Sequence, residues 1–285
     1  MKFIIILLGL ALECGLHAGR YLYRFNWFEE YTEYLRKWMS KTNLWRSYYG
    51  VAAVVLPLVI VIGILYCLLH YIYHLDYLLA FIVLIYCFGP HDIHSSVRKY
   101  LASMEAGNEA DAKKDLENFL VEKPTEKSAL FRAVTKVIFK HVNQDIFAVL
   151  FWFVFLGPIG AVLYRSVALL ADSSSNANSN HAELNKASNC VLDVLDWVPV
   201  RLLGIGYALV GNFMPTFKYW LSNVFTGVSK THELNLNTGL LAIDIDETNL
   251  SAADVKENKS AMDLSDRTLM VYVILLALIV VGSFF

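Results

Sequence analysis

The sequence predicts an all-α, polytopic integral membrane protein with about five spans, broken helices and a cytoplasmic helical insertion. Three observations lead there. Hydrophobic residues make up 56% of the 285 positions and charged ones 18%, with a mean hydropathy of +0.46, which is too apolar for an ordinary soluble domain. The apolar residues gather into runs such as Tyr49 to Leu69, long enough to cross a bilayer core of about 30 Å. Between those runs, charges recur at helical spacing. The chain divides into N-terminal spans with an interfacial helix (1–90), a cytoplasmic helical insertion (91–142), signature membrane helices (143–213), a polar linker (214–268) and a C-terminal span (269–285).

Phe3 to Leu12, continued by Gly15 to Gly19, supplies about 17 residues, the low end for a span. A cleaved signal peptide is the rival reading, since one lysine precedes about ten apolar residues. If the segment is retained, Glu13 and His17 share a helix face, and ionisable groups within spans usually face protein or water and mark function. The alternative is a Glu13 carboxylate resting in interfacial water. Residues 20–46 interleave Trp27, Phe28, Tyr31 and Trp38 with Glu29, Glu30, Glu33, Arg36 and Lys37, the pattern of an amphipathic interfacial helix. Tyr49 to Leu69 is the clearest span, with Pro57 and Gly63 suggesting a kink or close packing. His70 and His74 follow one turn apart near Asp76, a metal cluster or, better matched to Tyr71 and Tyr73, two interfacial imidazoles. Leu78 to Phe88 closes with Gly89-Pro90, after which His91, Asp92 and His94 crowd one helix exit. Asp92 fits an N-cap; the histidines have no such explanation.

From Ser95 to Lys140 the chain turns polar. Lysines and arginines alternate with acids, and Gly107 and Pro124 punctuate the stretch into about three solvated helices.

Asn143 to Arg165 organises the chain. Ile146 to Leu156 is eleven apolar residues in a row; Ile159 to Tyr164 continues it past Gly157-Pro158, giving about 19 residues for one broken span. Pro158 frees a carbonyl that must find a partner in protein or beside water, and such breaks often line cavities. After Arg165, residues 172–180 are a Ser/Asn-rich loop. Asp193 and Asp196 then stand three residues apart, with Arg201 just beyond Pro199. If one helix ends near Trp197 and another begins at Pro199, its amides and Arg201 could hold a phosphate or carboxylate. An ion pair from Arg201 to Asp193 or Asp196 is the alternative. Thr231 to Asp266 is acidic and polar, a loosely ordered linker, and Leu269 to Phe285 is the last span.

Lysines and arginines concentrate in the connections Glu13 to Tyr48, His91 to Asp145 and Met214 to Asp266, which the positive-inside rule makes cytoplasmic. Cys14, Cys67, Cys87 and Cys190 suit packing, with neither a disulfide framework nor zinc spacing. A net charge of −2 leaves no nucleic-acid footprint. No metal or cofactor site is apparent, and no phosphate-binding loop of the GxxxxGK[ST] type is present.

NQ followed by FAVLFWFVFLGPIGAVLYR resembles the bacterial inner-membrane AmpE family, named for ampicillinase (β-lactamase) regulation. DWVPVRLLGIGYALVGNF, Asp196 to Phe213, resembles that family's second signature. AmpE is in turn similar to the CobD/CbiB cobalamin-biosynthesis proteins. The chain departs from the latter where Val121-Glu122-Lys123-Pro124 replaces a Val-Gly-Arg-Asp stretch and His141-Val142 replaces an acidic residue before Asn143. The resemblance implies an inner-membrane modulator of β-lactamase induction and peptidoglycan recycling. Its binding residues would be Glu13, His91, Asp92, Asn143, Asp145, Asp193, Asp196 and Arg201, around a small anionic or amide-bearing ligand. Membrane lipid surrounds it, and a membrane or cytoplasmic protein is a further partner. A CbiB-like enzyme joining an amine-bearing phosphate to a carboxylate is the alternative. In a structural scaffold, the third reading, the same residues would only pair helices.

Overall fold

A computed structural model describes residues 5–6, 9, 26–39, 48–73, 75–88, 92–108, 127–172, 182–245 and 255–282. Among these the chain is all-α. It forms two compact units, one from residues 1–90 and 144–196, the other from 91–143 and 197–285.

The first unit begins with α1 (Asn26–Met39). Its aromatic face turns inward at Phe28, which is buried, while Glu29 and Glu30 are exposed, as the amphipathic pattern requires. Next comes α2 (Tyr48–Tyr73), apolar throughout with Pro57 inside it. Tyr31 on α1 donates to the Val54 carbonyl at 3.1 Å, close to where the proline interrupts the backbone ladder. A short turn leads to α3 (Asp76–Cys87), and at that turn His70 Nδ1 lies 3.1 Å from the buried Asp76 carboxylate.

The central helix of this unit is α7 (Pro158–Asp172), packed against α2, α3 and α6 (Ala148–Leu156). Small residues Gly160, Ala161 and Ala168 lie on its buried face, where small side chains let neighbouring helices approach closely. Asp145 and Arg165 lie 20 positions apart and 2.7 Å from each other. A continuous helix would separate such residues by about 30 Å. The chain therefore reverses at Gly157, and the single broken span expected over Asn143 to Arg165 is instead a helical hairpin. Two residues make the corner. Gly157 sits at φ 67, ψ −152, a conformation essentially restricted to glycine, and Pro158 opens α7 where a missing N–H costs nothing. At Gly160 a Cβ would come within 2.3 Å of the Trp152 carbonyl, so only glycine permits this closure.

The second unit contains α4 (Asp92–Glu105), α5 (Lys127–His141), α9 (Phe213–Asn223), α10 (Thr231–Ala242) and α11 (Val255–Gly282). The stretch expected as a polar linker over 214–268 is thus largely helical. The reason is burial: Leu234, Leu236 and Leu240 of α10 are buried, and so are Ala261, Met262 and Leu264 of α11. Two asparagines of this stretch are built in as well. Asn235 donates to the Phe139 carbonyl at 2.9 Å, and Asn258 donates to Thr135 Oγ1 at 2.9 Å.

The remaining helix, α8 (Ala182–Val210), runs unbroken through Pro199. The helix break expected between Trp197 and Pro199 is absent. Proline at 199 has no N–H for the Leu195 carbonyl, and that carbonyl accepts Trp152 Nε1 at 3.3 Å instead. Further on, glycines make room: a Cβ at Gly204 would meet the Trp220 ring at 2.8 Å and one at Gly206 the Tyr272 ring at 2.5 Å.

Among the described residues two stretches are long and apolar enough to cross a membrane, Tyr48–Tyr71 and Ala129–Leu156, with mean hydropathies of 2.9 and 1.3. The first has 17% of its most apolar stretch buried by protein and the second 56%.

Candidate functional site

Between α5 and α6 the chain passes through a π-helical turn, Val142–Phe147. Such wide turns occur often at functional sites. This one carries Asn143, Gln144 and Asp145 at the open end of the hairpin, where α7 presents Tyr164 and Arg165. In the first unit the groups converge. The Asp196 carboxylate of α8, 0% exposed, accepts from Tyr164 Oη at 2.6 Å and from Gln144 Nε2 at 3.2 Å. Beside it Arg165 Nη1 donates to Asp145 Oδ1 at 2.7 Å, with the two side chains 8% and 14% exposed. Gln144, Asp145, Tyr164, Arg165 and Asp196 form one buried polar cluster in an otherwise apolar hairpin.

The consecutive pairs explain the geometry. Trp152 meets Gly160 near the corner and Asp145 meets Arg165 farther out, so contacts run along the hairpin on both sides of the turn. The partner of Tyr164 and Gln144 then has to come from a third helix, and Asp196 supplies it. A charge-assisted O–H···O bond of this length is among the stronger hydrogen bonds available to a buried carboxylate.

Next to the cluster lies a cavity of about 290 Å³ among α1, α2, α3 and α7. Its wall is almost wholly apolar, Leu58, Ile62, Val83 and Val162 among it, with Arg165 and Ser166 as polar exceptions. Trp27 and Tyr86 stand at the same cavity and share a hydrogen bond from the indole N–H to the phenol oxygen.

The residues singled out from sequence fall in different places. Glu13 and His91 lie outside the described residues, and Asp92 opens α4. Asp145 and Asp196 belong to the cluster, and Asp193 sits half-buried one turn before Asp196 on α8. Asn143 is 1% exposed and belongs to the second unit. Arg201 also belongs there and is held by backbone. Its guanidinium donates to the carbonyls of Val224 at 2.5 Å, Trp197 at 2.7 Å and Thr226 at 2.8 Å, and it stacks 3.9 Å from the centre of the Trp197 ring. It closes the end of α9, a role distinct from both the ion pair and the anion site that the sequence suggests.

Gln144, Tyr164 and Arg165 were not among the expected binding residues. A signal existed: two adjacent polar residues at either end of an apolar run with a Gly-Pro at its middle. Reading the run as one span placed the two pairs at opposite ends.

Among curated proteins, residues of this chain are similar to the cobalamin biosynthesis protein CobD of Stutzerimonas stutzeri, 30% identical over 95 residues, 33% of this chain and 31% of that protein. Protein AmpE of Shigella flexneri is 29% identical over 137 residues, 47% of each. CobD of Chromobacterium violaceum is 29% identical over 104 residues, 36% of this chain and 33% of that protein. The matches thus span from 31% to 47% of the relatives' own lengths. No solved structure matches. The family model described as regulatory signalling modulator protein AmpE covers residues 1–284, and the chain belongs to that family.

Proposed function

We propose that this chain is a multi-pass inner-membrane modulator whose signal passes through the buried cluster of Gln144, Asp145, Tyr164, Arg165 and Asp196. The observation that carries the reading is the convergence of five polar side chains, two of them carboxylates, inside an apolar hairpin. Ionisable groups at such depth are expensive and are kept where they pair, relay protons or meet a ligand. The exposed apolar length of α2, including Leu56, Ile60, Val61 and Ile64, supports a lipid surrounding and, with the apolar runs of the sequence, about five spans. Within this reading residues 91–142 lie on the cytoplasmic side. The ligand is small and anionic or amide-bearing, and Asp193 lies near enough along α8 to join its site. The connection to β-lactamase induction and peptidoglycan recycling follows from the family resemblance.

The test is induction of β-lactamase in a host lacking its own copy, complemented with wild type, Asp196→Asn, or the double change Asp145→Asn/Arg165→Gln. Loss of modulation at unchanged membrane abundance supports the reading; wild-type modulation by both variants ends it. A second reading has a specific observation in its favour, the relatives named CobD: a ligase joining an amine-bearing phosphate to a carboxylate. Product formation from such a pair by purified protein, abolished by Asp196→Asn, would put that reading first.

A further inference from the structure

We infer that α9 and the turn after it rest on a membrane surface of anionic lipid, with apolar side chains toward the acyl chains and two lysines among the headgroups. The helix is built the wrong way round for water. Met214 and Leu221 share one face at a seven-residue spacing, and they are 75% and 58% exposed, while Phe225 in the following turn is 89% exposed. Polar groups turn inward instead. Thr216 is buried, Tyr219 Oη accepts from Asn237 Nδ2 at 2.9 Å, and Trp220 Nε1 donates to the Arg201 carbonyl at 2.9 Å. A helix with this outer face needs a cover other than water.

Length and charge choose the cover. The helix has 11 residues and reaches about 16 Å, roughly half a bilayer core, so it lies along a surface instead of spanning. No acidic residue stands between Asp196 and Glu233. Of the lysines and arginines in that interval, Arg201 is held by backbone carbonyls. Lys218, four positions after Met214 on the same face, and Lys230 are exposed. Two acids flank the region, Asp244 bonded to Asn212 before α9 and Glu233 after Lys230, and neither is part of α9. Lysines beside large apolar side chains suit phosphate headgroups and acyl chains together, their stems lying along the apolar surface. The connection from Met214 to Asp266 is cytoplasmic by the positive-inside rule, on the leaflet whose anionic lipid attracts basic segments. A second copy of the chain would set the same lysines against each other. Lipid is also the cover that the same unit needs for α11, where Met270, Ile274 and Leu278 stand exposed at four-residue spacing.

Full-length protein with its four cysteines replaced by alanine carries one bimane label, at Met214→Cys, Leu221→Cys, Phe225→Cys or, as a reference on exposed α2, Ile64→Cys. It sits in phosphatidylcholine nanodiscs in which a small fraction of the lipid is brominated phosphatidylcholine or phosphatidylglycerol with the same brominated chains. Both lipids are expected to quench the three α9 labels, and phosphatidylglycerol about twofold or more strongly. The change Lys218→Gln/Lys230→Gln should remove that preference and leave quenching by phosphatidylcholine as it was. Quenching by aqueous iodide in place of brominated lipid overturns the proposal, because the face then lies in solution. Labels shielded from both also overturn it in favour of a protein cover, and disulfide-linked dimers of unlabelled Leu221→Cys would identify that cover as a second copy. Equal quenching by the two lipids, unchanged in the lysine variant, overturns the assignment of anionic headgroups. Through its lipid this inference rests on the membrane reading of the chain, and the Ile64 label separates the two. An unquenched label there ends the membrane reading, whereas quenching there and not on α9 ends this inference alone. If the cysteine-free chain does not fold, native mass spectrometry of phosphatidylglycerol retained by wild type and by Lys218→Gln/Lys230→Gln carries the test, with lower retention by the variant expected and equal retention overturning it.

Discussion

Asp145 and Arg165, 2.7 Å apart across the hairpin, hold together two helices that the turn at Gly157 brings face to face. Removing either partner strands a charge in a site with little water, which costs about 3–5 kcal/mol for a fully buried pair. Asp145→Asn and Arg165→Gln should each lower the midpoint of denaturation of the detergent-solubilised protein. The double change should recover at least half of the combined loss, since both polar partners become neutral together. Additive losses would show that the bond contributes little.

Gly157 should resist replacement for a backbone reason. Its conformation costs a side-chain-bearing residue about 1–3 kcal/mol, so Gly157→Ala should destabilise by that amount. Gly160→Ala should cost as much or more by forcing α7 away from the Trp152 carbonyl. Thermal melts would check both, and a stable Gly160→Ala would mean that the corner is looser than the 2.3 Å approach implies.

Tyr164 and Asp196 should couple strongly. Hydrogen bonds to charged groups contribute about 1.5–3 kcal/mol, so Tyr164→Phe should cost about that much. In an Asp196→Asn background it should cost less. A double-mutant cycle measures the difference, and a coupling energy near zero would sink the account of the cluster as a linked unit.

Trp152→Phe tests how Pro199 is accommodated. In the wild-type chain it leaves the Leu195 carbonyl without its indole donor, at a cost of about 1–3 kcal/mol. In a Pro199→Ala background the backbone N–H restored at 199 can serve that carbonyl, and the penalty should shrink. An unchanged penalty would place the value of Trp152 in packing alone.

Arg201→Lys should fail almost as badly as Arg201→Ala. An ammonium cannot present a planar fork to three carbonyls or stack on Trp197 as a guanidinium does. The expected loss is about 2 kcal/mol or more of stability, read from denaturation of the purified protein.

Much of this fold was legible in the sequence because periodicity and hydropathy are local. The amphipathic helix around Phe28 and Tyr31 and the apolar helix from Tyr48 both follow from residues near one another. What failed to show were reversals and long-range burial. Gly157-Pro158 is as compatible with a kink as with a hairpin, and only contacts between residues 20 positions apart decide. Pro199 signalled a break because its missing partner, an indole 43 positions away from Leu195, has no local trace. The acidic, asparagine-bearing stretch after Thr231 looked loosely ordered because its polar groups bond to backbone far upstream, as Asn235 does to Phe139.

The chain leaves the first unit after residue 90 and returns to it at residue 144, and this sets an order of events during synthesis. Gln144 and Tyr164 are made before the carboxylate that joins them: Asp196 follows Tyr164 by 32 residues, about 2–6 s at ordinary elongation rates. Until then the hairpin carries a phenol and an amide without their acceptor. A ribosome paused in that interval holds a hairpin whose buried polar groups still lack the partner that satisfies them.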